Sequence, residues 1–158
     1  MWNNNGKVVK LSNVKPGTYV ATVMGKSRTS VVIVGRTDFF FSHGFSELKP
    51  KSLGDTSLQP IAESKVHLSI SVTDEHRSVQ IVSAQILDMN EKPINGPMPL
   101  TEISKNFYVT NLFVAPTQRF KVAVNGIIRA TGKPILRIGK IPVTPQEPPI
   151  KLPNNTRP

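Results

Sequence analysis

The residues that most often carry chemistry are sparse in this 158-residue chain, and their spacings form no catalytic or metal-binding motif. The three histidines, His43, His67 and His76, have no histidine or carboxylate partner at a metal-ligand spacing. His67 alternates with the apolar residues Val66 and Leu68, which predicts that its side chain lies on the polar face of a strand. Each histidine is therefore expected to be structural or solvated, and no metal is predicted.

Carboxylates, serines and glycines also fall outside the known catalytic patterns. Asp74-Glu75 and Glu91 lie in predicted turns, without the Asp-x-Asp-x-Asp spacing of a calcium loop. Neither a Gly-x-Ser-x-Gly nucleophile elbow nor a phosphate-binding glycine loop is present, since Met24–Ser27 joins two predicted strands and opens no helix. The chain has no cysteine, which excludes disulfides, thiolate metal sites and cysteine nucleophiles. We therefore predict a non-enzymatic protein without catalytic residues and without a cofactor.

The net charge of +10 is distributed unevenly along the chain. Residues 1–46 carry a net charge of +5, residues 47–104 carry −3 and residues 105–158 carry +8. A basic end could contact an anionic polymer such as a glycosaminoglycan or a nucleic acid. Alternatively, these side chains are solvated on strand faces, because they are spaced singly and form none of the tight basic runs that favour nucleic acid. The candidate polymer contacts are Arg119, Lys121, Arg129, Lys133, Arg137 and Lys140.

Period-two alternation of apolar and polar residues predicts an all-β fold. Turn signals recur about every 8–12 residues, which is typical of a β-sandwich. Asn125-Gly126 and the stretch between Leu87 and Leu100 are expected to be turns. The consecutive aromatic residues Phe39–Phe41 cannot all face one core, so at least one must point away from it. The predicted strands are Lys7–Leu11, Thr18–Met24, Thr29–Val34, Thr37–Phe41, Val66–Val72, Gln80–Leu87, Asn106–Asn111, Arg119–Val124 and Ile135–Val143.

Two segments differ in composition from the strand-rich part. Residues 46–60 combine Pro50, Gly54 and Pro60 with polar residues, which predicts a linker or a crossing between two sandwiches. Residues 146–158 are rich in proline and are expected to form an extended linker or tail, with an N-glycosylation sequon at Asn154. The chain shows no apolar run that could span a membrane, and its N-terminus lacks the apolar region of a signal peptide.

Two groups of motifs resemble a known protein family. The turn Val14–Tyr19, followed by alternating strands and by Phe39–Ser46, resembles the end of the galactose-binding-like domain of hemicentins and related von Willebrand A-domain proteins. In that family a Pro-Gly-x-Trp/Tyr turn leads to a strand and then to an aromatic-x-x-Gly-Phe-Ser motif. The segments Phe107–Thr110, Phe120–Gly126 and Gly132–Arg137 are similar to the immunoglobulin-like domain that follows it. Together the motifs cover about residues 14–145 in the family's order.

The resemblance implies two modules and a tail. Residues 1–46 would be the C-terminal strands of a galactose-binding-like sandwich, residues 47–145 an immunoglobulin-like β-sandwich, and residues 146–158 a Pro-rich linker or tail. The chain departs from the family at Ile128, where an acidic residue is usual. It also lacks the Asp-x-Ser-x-Ser motif of metal-dependent adhesion, so that activity is not carried over.

The function implied by the resemblance is that of a structural and interaction region of an extracellular matrix or cell-adhesion protein. Its partners would be other matrix or cell-surface proteins, and a glycosaminoglycan is a further candidate. The absence of a signal peptide then predicts that the chain is a fragment of a longer secreted glycoprotein. A truncated first sandwich would expose an unpaired strand edge, so the isolated chain is expected to self-associate or to dissolve poorly. The alternative function is a basic β-module that binds an anionic polymer.

Overall fold

The structure, a computed structural model of the chain, describes residues 9–10, 20, 22–24, 39–74 and 77–149. The chain divides into two compact units, Met1–Gly35 and Arg36–Pro158. All described strands belong to the second unit, which is all-β as the alternation predicts. Within the described ranges, no helix is long and apolar enough to cross a membrane.

Eight strands and one 3-10 turn, Leu53–Asp55, make up the regular structure of the described residues. The turn is closed by the Asp55 carboxylate, which accepts hydrogen bonds from the backbone N–H groups of Lys51 and Ser52, each at 3.0 Å. The strands are β1 (Phe40–Ser46), β2 (Lys65–Thr73), β3 (Val79–Leu87), β4 (Met98–Ser104), β5 (Phe107–Thr110), β6 (Phe113–Val114), β7 (Lys121–Ile128) and β8 (Pro134–Ile138).

Strand β4 connects two antiparallel layers. Its first two residues, Met98 and Pro99, pair with β3, whereas Leu100–Glu102 pair with β5. The strand order is β1-β2-β5-β4-β3-β7-β8, with β6 paired to β2. One layer is therefore formed by β1, β2, β5 and β6, and the other by β3, β7 and β8. The sheet folds over at β4, as sheets do at the corner of a sandwich.

The core lies between these layers and consists of alternate residues of the strands. The inward residues of β2 form one apolar cluster with those of β3 and β7. Removing such a side chain from water stabilises the fold by about 1.5–3 kcal/mol per residue. The largest apolar side chains that are fully buried are Leu68, Ile70, Ile86, Phe120, Val122 and Val124.

Strand β1 adds a row of aromatic rings to this core. The His43 ring lies between two phenylalanines, with its centroid 6.3 Å from that of Phe41 and 5.8 Å from that of Phe45. Phe45 in turn meets Phe120 edge to face at 5.8 Å, a favourable aromatic geometry. Phe40 points away from the core and is 51% exposed, which confirms that the three phenylalanines cannot share one face.

The strands with the clearest alternation lie where the sequence predicts them. The prediction Val66–Val72 corresponds to β2, Gln80–Leu87 to β3 and Asn106–Asn111 to β5. Strand β4 was missed, because Pro97 and Pro99 gave its beginning the composition of a turn. The predicted strand Thr29–Val34 lies wholly outside the described residues, and Lys7–Leu11 and Thr18–Met24 lie partly outside them.

The boundaries of other strands differ from prediction. Strand β7 continues four residues beyond the predicted end at Val124, and β8 ends at Ile138 instead of Val143. Val143 forms an isolated bridge with Phe120, closing the core by backbone hydrogen bonds of 2.7 and 3.0 Å. The predicted strand Thr37–Phe41 overlaps β1, which begins at Phe40 and runs to Ser46.

The position of β1 bears on the predicted division of the chain into modules. Every residue from Phe40 to Ser46 pairs with β2, and Arg36–Pro158 form one compact unit. The sequence prediction instead assigns residues 40–46 to the first module. The identity of the first module as a galactose-binding-like sandwich, and of the second as immunoglobulin-like, stays a prediction.

Gly126 lies inside β7, so the turn predicted at Asn125-Gly126 is wrong. A Cβ atom at Gly126 would lie 2.6 Å from Val79 Cγ1 and 2.8 Å from the Gln80 carbonyl oxygen. The glycine therefore permits a close approach of β3 to β7, beside the β-bulge between Ile81 and Ser83.

We expect Gly126→Ala to lower the free energy of unfolding by about 1–3 kcal/mol. The added methyl group would clash with the Val79 side chain and with the Gln80 carbonyl oxygen, and the backbone oxygen cannot rotate away. Gly96→Ala is the matched control, since nothing lies within 4 Å of the added Cβ atom. The control is expected to change stability by less than about 0.5 kcal/mol. Urea unfolding followed by circular dichroism measures both, and equal losses would contradict the close approach.

Candidate binding site at one end of the sandwich

Three loops meet at one end of the sandwich, where β2, β4 and β7 end and β3, β5 and β8 begin. They are tied together by backbone hydrogen bonds from Val72 N to Asn106 O and from Arg129 N to Ser78 O, both 2.9 Å long. We call this region, residues 74, 77–78, 102–106 and 129–133, the basic end. Its charged residues in the described part of the chain are Arg77, Lys105, Arg129 and Lys133, against Asp74 and Glu102.

Asp74 organises the loop between β2 and β3. Its buried carboxylate accepts hydrogen bonds from Ser78 N at 3.1 Å, from Ser78 Oγ at 3.0 Å and from Val79 N at 2.9 Å. Its own carbonyl oxygen accepts a hydrogen bond of 3.1 Å from Arg77 N. A buried carboxylate with several donors fixes the backbone around it, since breaking the set would leave a charge unpaired.

Arg77 is held by both its backbone and its side chain. Its φ of +49° lies in the left-handed region, which costs about 1–3 kcal/mol in a residue other than glycine. Its guanidinium forms an ion pair with Glu102, and its carbonyl oxygen accepts a hydrogen bond of 3.0 Å from Arg129 Nε. The ion pair is too exposed to contribute more than about 0–1 kcal/mol, so its main effect is to orient the guanidinium.

The Glu102 carboxylate connects these loops to the sheet. Its Oε1 atom also accepts a hydrogen bond of 3.1 Å from Asn106 N. The neighbouring Tyr108 has its pKa raised above 10.0, mainly by burial and secondly by the negative charge of Glu102. The positive charges of Arg77 and Arg129 act on the Tyr108 pKa in the opposite direction.

An open depression of about 490 Å³ lies over this network, lined by Arg77, Glu102, Ile103, Ser104 and Lys105. Guanidinium groups and ammonium groups bind carboxylate, sulfate and phosphate oxygens through charge-assisted hydrogen bonds. Within the part of the chain that the structure describes, no three His, Asp or Glu side chains are placed to hold a metal ion. The chemistry that this arrangement supports is the binding of an anionic group.

The structure distributes the six predicted polymer contacts over several surfaces. Arg129 and Lys133 lie in the β7–β8 loop at the basic end. Lys121 begins β7 at the opposite end and pairs with Glu91 at 2.8 Å. Arg119 is exposed in the loop before β7, and Lys140 follows β8 with its Nζ 6.0 Å from the centroid of the Phe40 ring. Only two of the six therefore lie together at the basic end.

Arg137 lies on the inner face of β8. Its partner in the ladder is Val124, a core residue, and its Nε atom is buried without a hydrogen-bond partner. That Arg137 contacts an anionic polymer stays a prediction. Sequence reasoning in turn missed Arg77, which lies in the acidic segment 47–104, and Lys105, which is the first residue of the basic segment 105–158.

The other predicted residues lie apart from the basic end or outside the described residues. His67 points away from the core, as predicted. Its Nδ1 donates a hydrogen bond of 2.7 Å to Thr110 O, since a carbonyl oxygen can only accept. Glu91 lies in the loop after β3 with its carboxylate on Lys121. His76, Glu75 and the sequon residue Asn154 lie outside the described residues, as does most of Met24–Ser27.

Comparison with protein-family models, with curated proteins and with solved structures finds no match to this chain. The resemblance to hemicentins therefore rests on the motifs alone and stays a prediction.

His43 makes the stability of this sandwich sensitive to acid. Burial between Phe41 and Phe45 lowers its pKa from the ordinary value of 6.5. The unfolded chain then binds a proton more readily than the folded chain, so the free energy of unfolding falls as the pH falls below about 6.5. The loss is at most about 1.4 kcal/mol per pH unit for one proton, and it stops below the pKa of the folded state.

We expect His43→Phe to reduce this slope between about pH 6.5 and pH 5, since phenylalanine fits the aromatic row and takes no proton. Urea unfolding at a series of pH values measures it. Val79→Ala is the control, because Val79 is buried outside the aromatic row, so its loss lowers stability at every pH and should leave the slope unchanged. The interpretation fails if His43→Phe keeps the slope of the original chain.

Proposed function

We propose that this chain is a non-catalytic structural and interaction region of an extracellular matrix or cell-adhesion protein of the hemicentin type. The all-β sandwich and the two collinear groups of motifs support this assignment. Its partners would be other matrix or cell-surface proteins, and Asn154 would carry a glycan in the secreted protein.

The construction of the basic end carries the proposal. Three loops are joined by backbone hydrogen bonds, and within them Arg77 keeps a left-handed backbone conformation that costs free energy. Such strain is found mainly where a loop serves a ligand or a partner, and loops at the ends of β-sandwiches are common contact surfaces. An arginine oriented by Glu102 and supported by Arg129 would present its guanidinium to a carboxylate of a partner protein.

The coding sequence upstream of Met1 tests the family assignment. We expect an open reading frame that continues upstream and encodes a signal peptide followed by a von Willebrand A domain. Transcript sequencing from the 5′ end provides this observation. An in-frame stop codon directly before Met1 would overturn the assignment.

The second candidate function is binding of an anionic polymer, and the charge of the basic end favours it. Four basic side chains lie there against two carboxylates in the described residues. The Asp74 carboxylate is engaged by backbone and hydroxyl donors, and Glu102 is engaged by Arg77 and Asn106. Lys105 and Lys133 are exposed and have no carboxylate partner in the described residues.

Heparin affinity tests this second function through the two exposed lysines. We expect the double variant Lys105→Gln/Lys133→Gln to bind heparin more weakly and to reduce the slope of log K against log salt by about two, one for each lost contact. Titrations at several salt concentrations measure the slope.

The control is Lys92→Gln/Arg119→Gln, which removes the same charge from exposed residues at the opposite end. Its slope should stay close to that of the original chain. Equal reductions in the two double variants would mean diffuse attraction to the net charge of +10 instead of a site. Absence of heparin binding would exclude this function while leaving the protein-interaction proposal intact.

A further inference from the structure

The outer surface of the β3-β7-β8 layer contains no ionisable side chain between its two ends. Three rows of paired residues run across these strands on the side opposite the core. The rows are Gln80–Ile127–Pro134, Ser83–Asn125–Leu136 and Gln85–Ala123–Ile138. We call this surface the uncharged face. Its residues are Gln80, Val82, Ser83, Gln85, Ala123, Asn125, Ile127, Pro134, Leu136 and Ile138.

The uncharged face exposes large apolar side chains to solvent. Leu136 is 50% exposed, the bulged residue Val82 45% and Ile127 37%. At one end of the face Lys121 begins β7, and Glu91 pairs with it at 2.8 Å. Several large exposed apolar side chains on a surface without charge make that surface a candidate contact with another molecule.

Strand β8 shows that this exposure is built into the register. Leu136 and Ile138 point outward, whereas Arg137 between them points toward the core side with a buried, unpartnered Nε. A shift of one residue would bury the two apolar side chains and expose the arginine. The observed register is therefore unfavourable for a sandwich whose outer face stays in water.

We propose that the uncharged face packs against the same face of a second copy of this chain, sheet on sheet, around a two-fold axis. This inference does not depend on the family to which the chain is assigned. Two chains with a net charge of +10 repel each other over most approaches. The uncharged face lets two copies meet without burying an unpaired cation, which would cost several kcal/mol.

The polar groups on the face are self-complementary. In a two-fold contact the same patch of each copy meets. A group near the axis that both donates and accepts hydrogen bonds can therefore pair with the same group of the other copy. The amides of Gln80, Gln85 and Asn125 have this property, whereas ammonium groups only donate and carboxylates only accept. Asn125, near the middle of the face, donates to Ser83 Oγ at 3.2 Å and keeps its amide oxygen available.

The area of the face sets the expected affinity. Three strands about 4.8 Å apart and about seven residues long at about 3.4 Å per residue give a footprint of about 340 Å² per copy. That is less than half the area per partner of a standard stable interface. The dimer is therefore expected to be weak and reversible, with a Kd in the upper micromolar range.

Sedimentation equilibrium between about 1 and about 500 μM tests the proposal. We expect a monomer–dimer equilibrium, and we expect Leu136→Asp to weaken it at least 10-fold because the carboxylate would be buried opposite its own copy. Leu112→Asp is the matched control, since Leu112 has nearly the same exposure, 51%, but lies between β5 and β6 in the other layer. The control should dimerise like the original chain.

Other outcomes overturn the proposal. A chain that stays monomeric to the highest concentration has no such contact. Association that persists unchanged in Leu136→Asp takes place elsewhere, for example through an unpaired strand edge. Circular dichroism must show that the variant is folded. If Leu136→Asp does not fold, Val82→Asp at the β-bulge makes the same test without altering β8, and it too must weaken the dimer at least 10-fold.

Discussion

The corner at β4 is the constraint on which the rest of the sandwich depends. Through Met98 and Pro99 this strand belongs to the layer of β3, and through the following residues it belongs to the layer of β5. One continuous hydrogen-bonded sheet therefore folds over and buries its own inner face. The inward residues of β2 can then pack with those of β3 and β7, although a long connection separates β3 from β7 in sequence. Without that corner the two apolar faces would remain exposed to water.

The corner also decides which loops become neighbours. Strands β2 and β3 lie in different layers, so the loop that joins them crosses one end of the sandwich. There it lies beside the β4–β5 turn and the β7–β8 loop. Arg77 meets Glu102 and Arg129 only through this arrangement, whereas Asp74 is held locally by Ser78 and Val79. The surrounding hydrogen bonds hold Arg77 in its left-handed backbone conformation, which a loop without such bonds would leave. Two adjoining surfaces of the second unit differ accordingly, with charge at the basic end and almost none on the outer side of β7 and β8.

Sequence reasoning located the strands better than it located the candidate site. Alternation over seven or more residues fixed β2 and β3, because a strand buried on one face must repeat every two residues. It failed at β4, where two prolines hid the pattern, and at Gly126, where the glycine serves a close approach between strands and not a turn. For the site, grouping cations by their position in sequence selected Arg137, which faces the core side, and passed over Arg77. Distance along the chain carries little information about which face of a sandwich a cation occupies.

The sequence by itself determined that this protein is all-β, that one phenylalanine of Phe39–Phe41 must leave the core and that His67 faces away from it. These are local consequences of a two-residue period, and no distant part of the chain can change them. Only the tertiary structure decided that Arg77 and Arg129 share one end and that Leu136 is exposed while Arg137 is not. The reason is physical: neighbours across a sheet are chosen by register and by the fold at β4, and a shift of one residue in register would exchange the two faces of β8.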